Sequence, residues 1–402
     1  MLGINDLFNS FFGNYNEKYC INNGLFIAYN SKNEIEAKTR QIIDYSTDII
    51  FTDIDFILGE SMVINSNTTG AVNELMNILK ANNWDSVKSL NILQGLVLGN
   101  TGFKVGVDAK GKVKFDLIKI KDVQVTPTYS SGQIIAWTLE YSIPDGSNGT
   151  KNIKEEFTLD FYRREEAGQE VVKAPNKYGK LWCNIIANRP SLEAPQNAIW
   201  RGESEWEKFR ELVDEINSCH SKLAVMEHRY ADPKYIASNI QDVSQLCLQH
   251  KLWMIPENAD IRILEYSGNV MSDMQERIKM LESALKSKAP ELVLTSIENV
   301  SGIALKIKLT QFRKKIEYLR GVYFKQFKDL FELIYEIQTQ KQAEFEVSAS
   351  LILPQDDAEL LSKLTTLVGM NIVSLDTAAK ELGYDYKEEK KKIERESPFK
   401  IE

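Results

Sequence analysis

Three constellations in this chain carry residue types that could do chemistry. Asp53 and Asp55 form a carboxylate pair of the kind that can hold a divalent cation for hydrolysis. They fall on a stretch that reads as a strand, where a two-residue spacing shares a face by chance. A nuclease would also need further carboxylates and a basic cradle, which the neighbouring sequence lacks. Cys247 and His250 are the nearest approach to metal-ligand spacing among three histidines (His220, His228, His250) and four cysteines (Cys20, Cys183, Cys219, Cys247). A closed zinc site takes four ligands, so these read as core and surface residues. Gly95, Gly99 and Gly102 supply the glycines of a phosphate loop, but no Lys-Ser or Lys-Thr follows to hold phosphate and magnesium, which leaves a helix-to-strand turn. There is no His-Glu-x-x-His. The sequence therefore predicts no catalytic residue, no metal and no cofactor.

A fourth feature is electrostatic. From Lys306 to Asp329 stand eight basic residues (Lys306, Lys308, Arg313, Lys314, Lys315, Arg320, Lys325, Lys328) against two acids, Glu317 and Asp329, in a chain whose net charge is −8. One reading is a surface that faces a polyanion at close quarters. The other is a solvated helix face, or charges that pair with acids such as those of Glu203 to Glu215 across a subunit contact. The acidic total argues against tight DNA binding over the whole surface.

The length of 402 residues allows two or three packed units. No apolar run is long enough to span a bilayer; the best candidate, Ile49 to Leu58, is cut by Asp53 and Asp55. Asp6, with no basic segment ahead of Phe8 to Phe12, argues against a secretory signal. Four scattered cysteines suggest reduced thiols in a cytoplasm.

The elements that would position these residues follow from periodicity. Residues 1–30 read as an irregular arm. Ser31 and Glu34 begin a helix that runs to about Ile50, followed by helices Ala71 to Lys80 and Ser86 to Leu98. Alternation then predicts one largely antiparallel sheet region over 103–187, with a hairpin at Asp108 to Gly111, one strand through Phe157, Leu159 and Phe161, and a polar turn over 144–150. Ser204 and Glu207 cap a long helix that ends at Asp232-Pro233. A mixed insert covers 234–266, and Ser272 with Gln275 is expected to cap a second helix, stopping near Pro290. Phe312, Ile316, Leu319, Tyr323, Phe327, Leu330, Ile334 and Ile337 make one helix of about 30 residues. Its apolar positions cover more than one stripe, so it is expected to need neighbours. Glu344 to Leu353 reads as a strand returning to the earlier sheet, before a final helical region capped by Asp356.

Asn299-Val-Ser-Gly-Ile-Ala-Leu-Lys306, leading into that long helix, resembles the Ser-Gly-x-Ala-Leu-Lys signature of the portal proteins of tailed bacteriophages. Trp200-Arg-Gly-Glu-Ser-Glu-Trp206, Tyr230-Ala-Asp-Pro233, the Asn82-Asn83-Trp84 break, Gly99-Asn-Thr-Gly102 and Ile372-Val-Ser-Leu-Asp-Thr377 follow in the family's order, so the likeness spans about 31–395. Glu203 stands where the family commonly has a basic residue, and the C-terminal crown looks short. The resemblance implies an α+β portal fold with a mixed α/β wing, a two-helix stem, a small α/β clip and a long tunnel helix. It divides the chain into an arm (1–30), wing (31–202), first stem helix (203–230), clip (231–268), second stem helix (269–290), tunnel loop (291–303), tunnel helix (304–340), and return strand with crown (341–402).

By the same resemblance the chain is not an enzyme. It is a subunit of a homo-oligomeric ring, expected to have twelve copies, at a capsid vertex of the virion, built in the host cytoplasm without a membrane. The implied partners are a large terminase ATPase, major capsid and scaffolding proteins, a head-tail adaptor, and double-stranded DNA passing without sequence preference. Lys306, Lys308 and Arg313 become the DNA-channel candidates. Ser296, Glu298, Asn299, Ser301 and Gly302 would form the tunnel loop, and Tyr235, Trp253 and Glu257 the clip surface for terminase. A DNA-processing enzyme using Asp53, or a non-channel tail or baseplate scaffold, is the alternative.

Overall fold

A computed structural model describes residues 43–145, 149–190, 201–231, 234–238, 260–264, 269–292, 302–350, 357–370 and 372–381, with residues 386, 390 and 392. Residues up to Ser350 form one compact unit and those from Leu351 a second.

Among the described residues the first helix is α1, Tyr45–Leu58; the predicted arm over 1–30 and the helix start at Ser31 and Glu34 lie outside them. Asp44 caps it by accepting from the Thr47 amide at 3.1 Å. Ile49, Ile50, Asp53, Ile54 and Ile57 fall on its buried face. Asp53 and Asp55 are thus helical rather than extended, and the helix passes Ile50 by two turns. Neighbouring apolar residues at helical spacing over-ride the short alternation that suggests a strand.

Helices α2 (Ala71–Lys80) and α3 (Trp84–Leu98) follow strand β1 (Met62–Ser66). Two sheets replace the single region expected over 103–187. One has three strands in the order β3-β2-β9, from β2 (Asn100–Val107), β3 (Val113–Leu117) and β9 (Cys183–Ala187). The other has five in sequence order: β4 (Gln124–Ser130), β5 (Gln133–Asp145), β6 (Gly149–Thr158), β7 (Phe161–Glu166) and β8 (Gln169–Pro175). The alternation Phe157, Leu159, Phe161 is broken by a turn: the Thr158 hydroxyl accepts from Phe161 N at 2.8 Å and reverses the chain between β6 and β7. Lys104 of the smaller sheet joins the larger one through a 2.7 Å bond to Glu155, whose other oxygen accepts from Tyr162 at 2.8 Å.

Helix α4 (Glu207–Ala231) starts where Ser204 Oγ accepts from Glu207 N at 3.1 Å. Strands β10 (Lys234–Ser238) and β11 (Asp260–Leu264) pair antiparallel beyond it. Helix α5 (Asn269–Lys288) packs on α4, with Arg277 bonded to Glu215 at 2.7 Å. Ser272 lies within α5, so the expected cap there does not form.

Helix α6, Gly302–Thr339, has 38 residues, about 57 Å at 1.5 Å per residue. Its last six turns are the axle of the core. Phe327 and Phe331 meet Trp84 at 4.9 and 5.1 Å between ring centroids, and Tyr335 meets Phe345 at 5.4 Å. Phe312, Ile316, Leu319, Tyr323, Phe327, Phe331 and Ile334 have no exposed surface. The expectation that these apolar stripes need neighbouring subunits is therefore wrong: α1, α2, β3, β9 and β12 of the same chain cover them. Strand β12 (Phe345–Ala349) returns to β1, not to the larger sheets. The second unit contains α7 (Asp357–Gly369) and α8 (Leu375–Glu381), with Leu364 and Ala378 buried.

Candidate functional site

The basic stretch on α6 divides once it is wound into a helix. At 3.6 residues per turn, positions 306 and 313 are two turns apart on one side, whereas 308 lies in line with 312, 315 and 319. The first line continues through exposed Thr310, Arg313, Glu317 and Gly321; the second through buried Phe312 and Leu319. Of the three channel candidates, Arg313 is the one whose side chain is described; those of Lys306 and Lys308 lie outside the described residues. Arg313 is 58% exposed and bonds Glu317 at 2.8 Å. Lys314 and Lys325 are also exposed, and Lys328 lies 3.7 Å from Glu332.

Two of the eight basic residues hold the fold together. Arg320 donates to the carbonyls of Phe56 at 2.7 Å, Ile57 at 3.1 Å and Ser350 at 2.8 Å, closing the C-terminal end of α1, where unpaired carbonyls gather. Lys315 enters a buried cluster, with Nζ 2.6 Å from Asp53 Oδ2, 2.6 Å from Glu291 Oε1 and 3.8 Å from Glu205 Oε2. Both Asp53 and Glu291 are fully buried, and Lys315 is 12% exposed. Burial works against the Lys315 ammonium, but the three carboxylates overcome it and hold its pKa above the ordinary lysine range. Burial also pushes Glu205 up, and Lys315, Lys208 and Arg189 outweigh it, so its carboxyl titrates below the usual range. Asp53 goes the other way: burial, reinforced by Glu291 and opposed by Lys315, raises it well above the ordinary value.

This cluster, which no sequence motif announces, joins α1, the lead into α4, the turn after α5, and α6. Asp53 is committed to it, so its pairing with Asp55 as metal ligands is overturned. Among the described residues, no group of three or more His, Cys, Asp or Glu could hold a metal ion.

Ser296, Glu298, Asn299 and Ser301 lie outside the described residues, as do Trp253, Glu257, Cys247 and His250. Gly302 is the first residue of α6, not part of a loop, and Glu291–Leu292 form a helical turn with both residues buried. Tyr235 is on β10, in register with Ile263. A cleft of about 450 Å³ opens between Trp137, Trp182, Phe103 and Leu333, but its cation, Lys180, is bonded to Glu336 at 2.8 Å. Among the described residues that line it there is therefore no unpaired cation to fix an acidic ligand.

Gly95 to Gly102 serve packing rather than phosphate. Gly99 sits at φ +82°, and its carbonyl accepts from Asn188 N at 2.8 Å while lying so close to Gly202 that a Cβ on either glycine would overlap the other's backbone. That approach places Ser204 and Glu205 against α3, where Glu205 N donates to Leu96 O at 2.8 Å.

The family model described as phage portal protein, SPP1 Gp6-like, matches residues 9–398. A search of curated proteins finds no match. Among solved structures, a chain from "Neck of empty GTA particle computed with C6 symmetry" superposes with a TM-score of 0.53 at 10% identity, covering 84% of this chain and 89% of that one. At that identity the likeness concerns the fold. No helix among the described residues is long and apolar enough to cross a membrane.

Proposed function

The chain belongs to the SPP1 Gp6-like phage portal proteins, a structural and non-enzymatic family of the virion, and from that membership we propose that its copies close into a twelve-subunit ring at one capsid vertex. In this reading DNA passes through the bore without sequence preference during packaging and ejection. The ring is the platform on which a large terminase ATPase, and later a head-tail adaptor, dock among the capsid and scaffolding proteins. The match over residues 9–398 carries the proposal.

The molecule supports it in several ways. Helices α4 and α5 pack as a pair with strands β10 and β11 between them in sequence, an order suited to a stem and a clip. Residues 31–202 would form the wing, 293–301 the tunnel loop, and Lys306, Lys308 and Arg313 weak phosphate contacts near it. Although the second half of α6 is consumed by its own core, its first half keeps a solvent-facing side of Thr310, Gln311, Arg313, Lys314, Glu317 and Tyr318, which leaves surface for DNA or an adjacent copy. A net charge of −8 per subunit disfavours adhesion of DNA to the conduit as a whole.

Negative-stain imaging of the purified full chain tests the reading. Rings with a central hole are expected. A monomer that cleaves DNA, or an open assembly with no bore, would overturn it.

A further inference from the structure

Around Lys315 the chain buries more negative charge than positive. Its Nζ contacts Asp53 and Glu291 at 2.6 Å each, and neither carboxylate has exposed side-chain surface. The third acid, Glu205, has its own cations, Lys208 at 2.9 Å and Arg189 at 3.3 Å. Among the described residues the other neighbours bring no charge: the Phe209 ring lies 5.9 Å from Nζ, and the buried Tyr323 hydroxyl bonds Asn188 at 3.1 Å. One ammonium thus faces two carboxylates in a buried site, where an uncompensated charge is costly. The other oxygens of the pair, Asp53 Oδ1 and Glu291 Oε2, are buried and have no hydrogen-bond partner. Two carboxylate oxygens can satisfy each other only when one carries a proton.

We infer that Asp53 keeps its proton and donates it in a hydrogen bond to Glu291, which makes the joint of α1, α5 and α6 a pH-sensitive latch. With that proton the triad is neutral and every member is bonded. Without it, two like charges compete for Lys315. Glu291 is the member that yields, because Asp53 and Lys315 lie within long packed helices, whereas Glu291 lies beyond the end of α5. Among the described residues that segment is tied to the helix end by Ala289 N to Leu285 O at 2.8 Å and by Leu292 N to Ala289 O at 3.2 Å. The latch depends only on contacts within one chain, so it stands or falls independently of the ring.

The sign follows from linkage. Asp53 is held above its unfolded value of about 3.9, so the stability it gives is full below that value and is lost as pH rises through the folded value. The test compares the full-length wild type with Asp53→Asn, whose amide donates as the protonated acid does, and with Glu291→Gln, which leaves Asp53 facing Lys315 alone. The wild-type Tm is expected to match the variants' at about pH 4 and below and to fall progressively below them as pH rises from there. At higher pH, the amides of Ala289–Leu292 exchange faster in the wild type than in Asp53→Asn. Difference infrared spectra at neutral pH show a protonated-carboxyl stretch in the wild type that Asp53→Asn lacks. Parallel Tm profiles, or no such band in the wild type, would sink the latch; if one variant fails to fold, the other still decides.

Discussion

At the scale of single residues, the basic stretch shows how one composition serves two purposes. Lys315 and Arg320 are spent inside the protein, on buried carboxylates and on the open end of α1. Removing one partner of such a buried pair costs about 3–5 kcal/mol, so Lys315 ranks among the main ties of this joint. In the first half of α6, exposed Arg313 and Lys314 are left for a polyanion, with Lys306 two turns before Arg313. If these meet DNA phosphates, replacing all three by Gln weakens DNA retention by the ring at low salt and lowers the salt slope of binding by about one for each phosphate that is no longer neutralised. Binding measured across a salt series checks this; an unchanged slope removes the three from the channel. The division was partly legible beforehand. Asp53 falls on the same stripe as Ile49, Ile50 and Ile57, and an acid on an apolar stripe asks for a buried partner. Its partner Lys315 lies 262 positions away, and no local pattern joins the two.

At the scale of elements, α6 and the Gly99–Gly202 contact organise the molecule. The periodicity of α6 was readable because its apolar residues recur every three or four positions over many turns. Its role was misread, since a helix buried by its own chain and one buried by neighbours show the same stripes. The Gly99–Gly202 crossing sets where α4 begins and so where Glu205 meets Lys315. Because the atoms that would be struck are backbone and cannot swing aside, Gly202→Ala is expected to destabilise by about 1–3 kcal/mol, the usual range for overpacking. Chemical denaturation measures it, and a cost near zero would show that the crossing can relax.

At the scale of the whole molecule, the family assignment and the acidic net charge point to an assembly that acts by shape and position rather than by reaction. An oligomer that binds only folded subunits is stabilised by mass action, so its apparent Tm rises with protein concentration. That rise, measured by scanning calorimetry over a wide dilution series, is expected here. A Tm independent of concentration, with monomers at every dilution, would contradict a ring.

By itself the sequence determined the α+β class, the long helix, the hairpins and the absence of a recognisable catalytic motif, because these depend on spacing along the chain. The order of its motifs also pointed to the portal family before any coordinates. Tertiary structure alone decided that 103–187 splits into two sheets, that β12 returns to β1, and that Asp53 is a helical residue locked to Lys315. Those outcomes turn on which distant segments exclude water from one another, and residue spacing carries no record of such contacts.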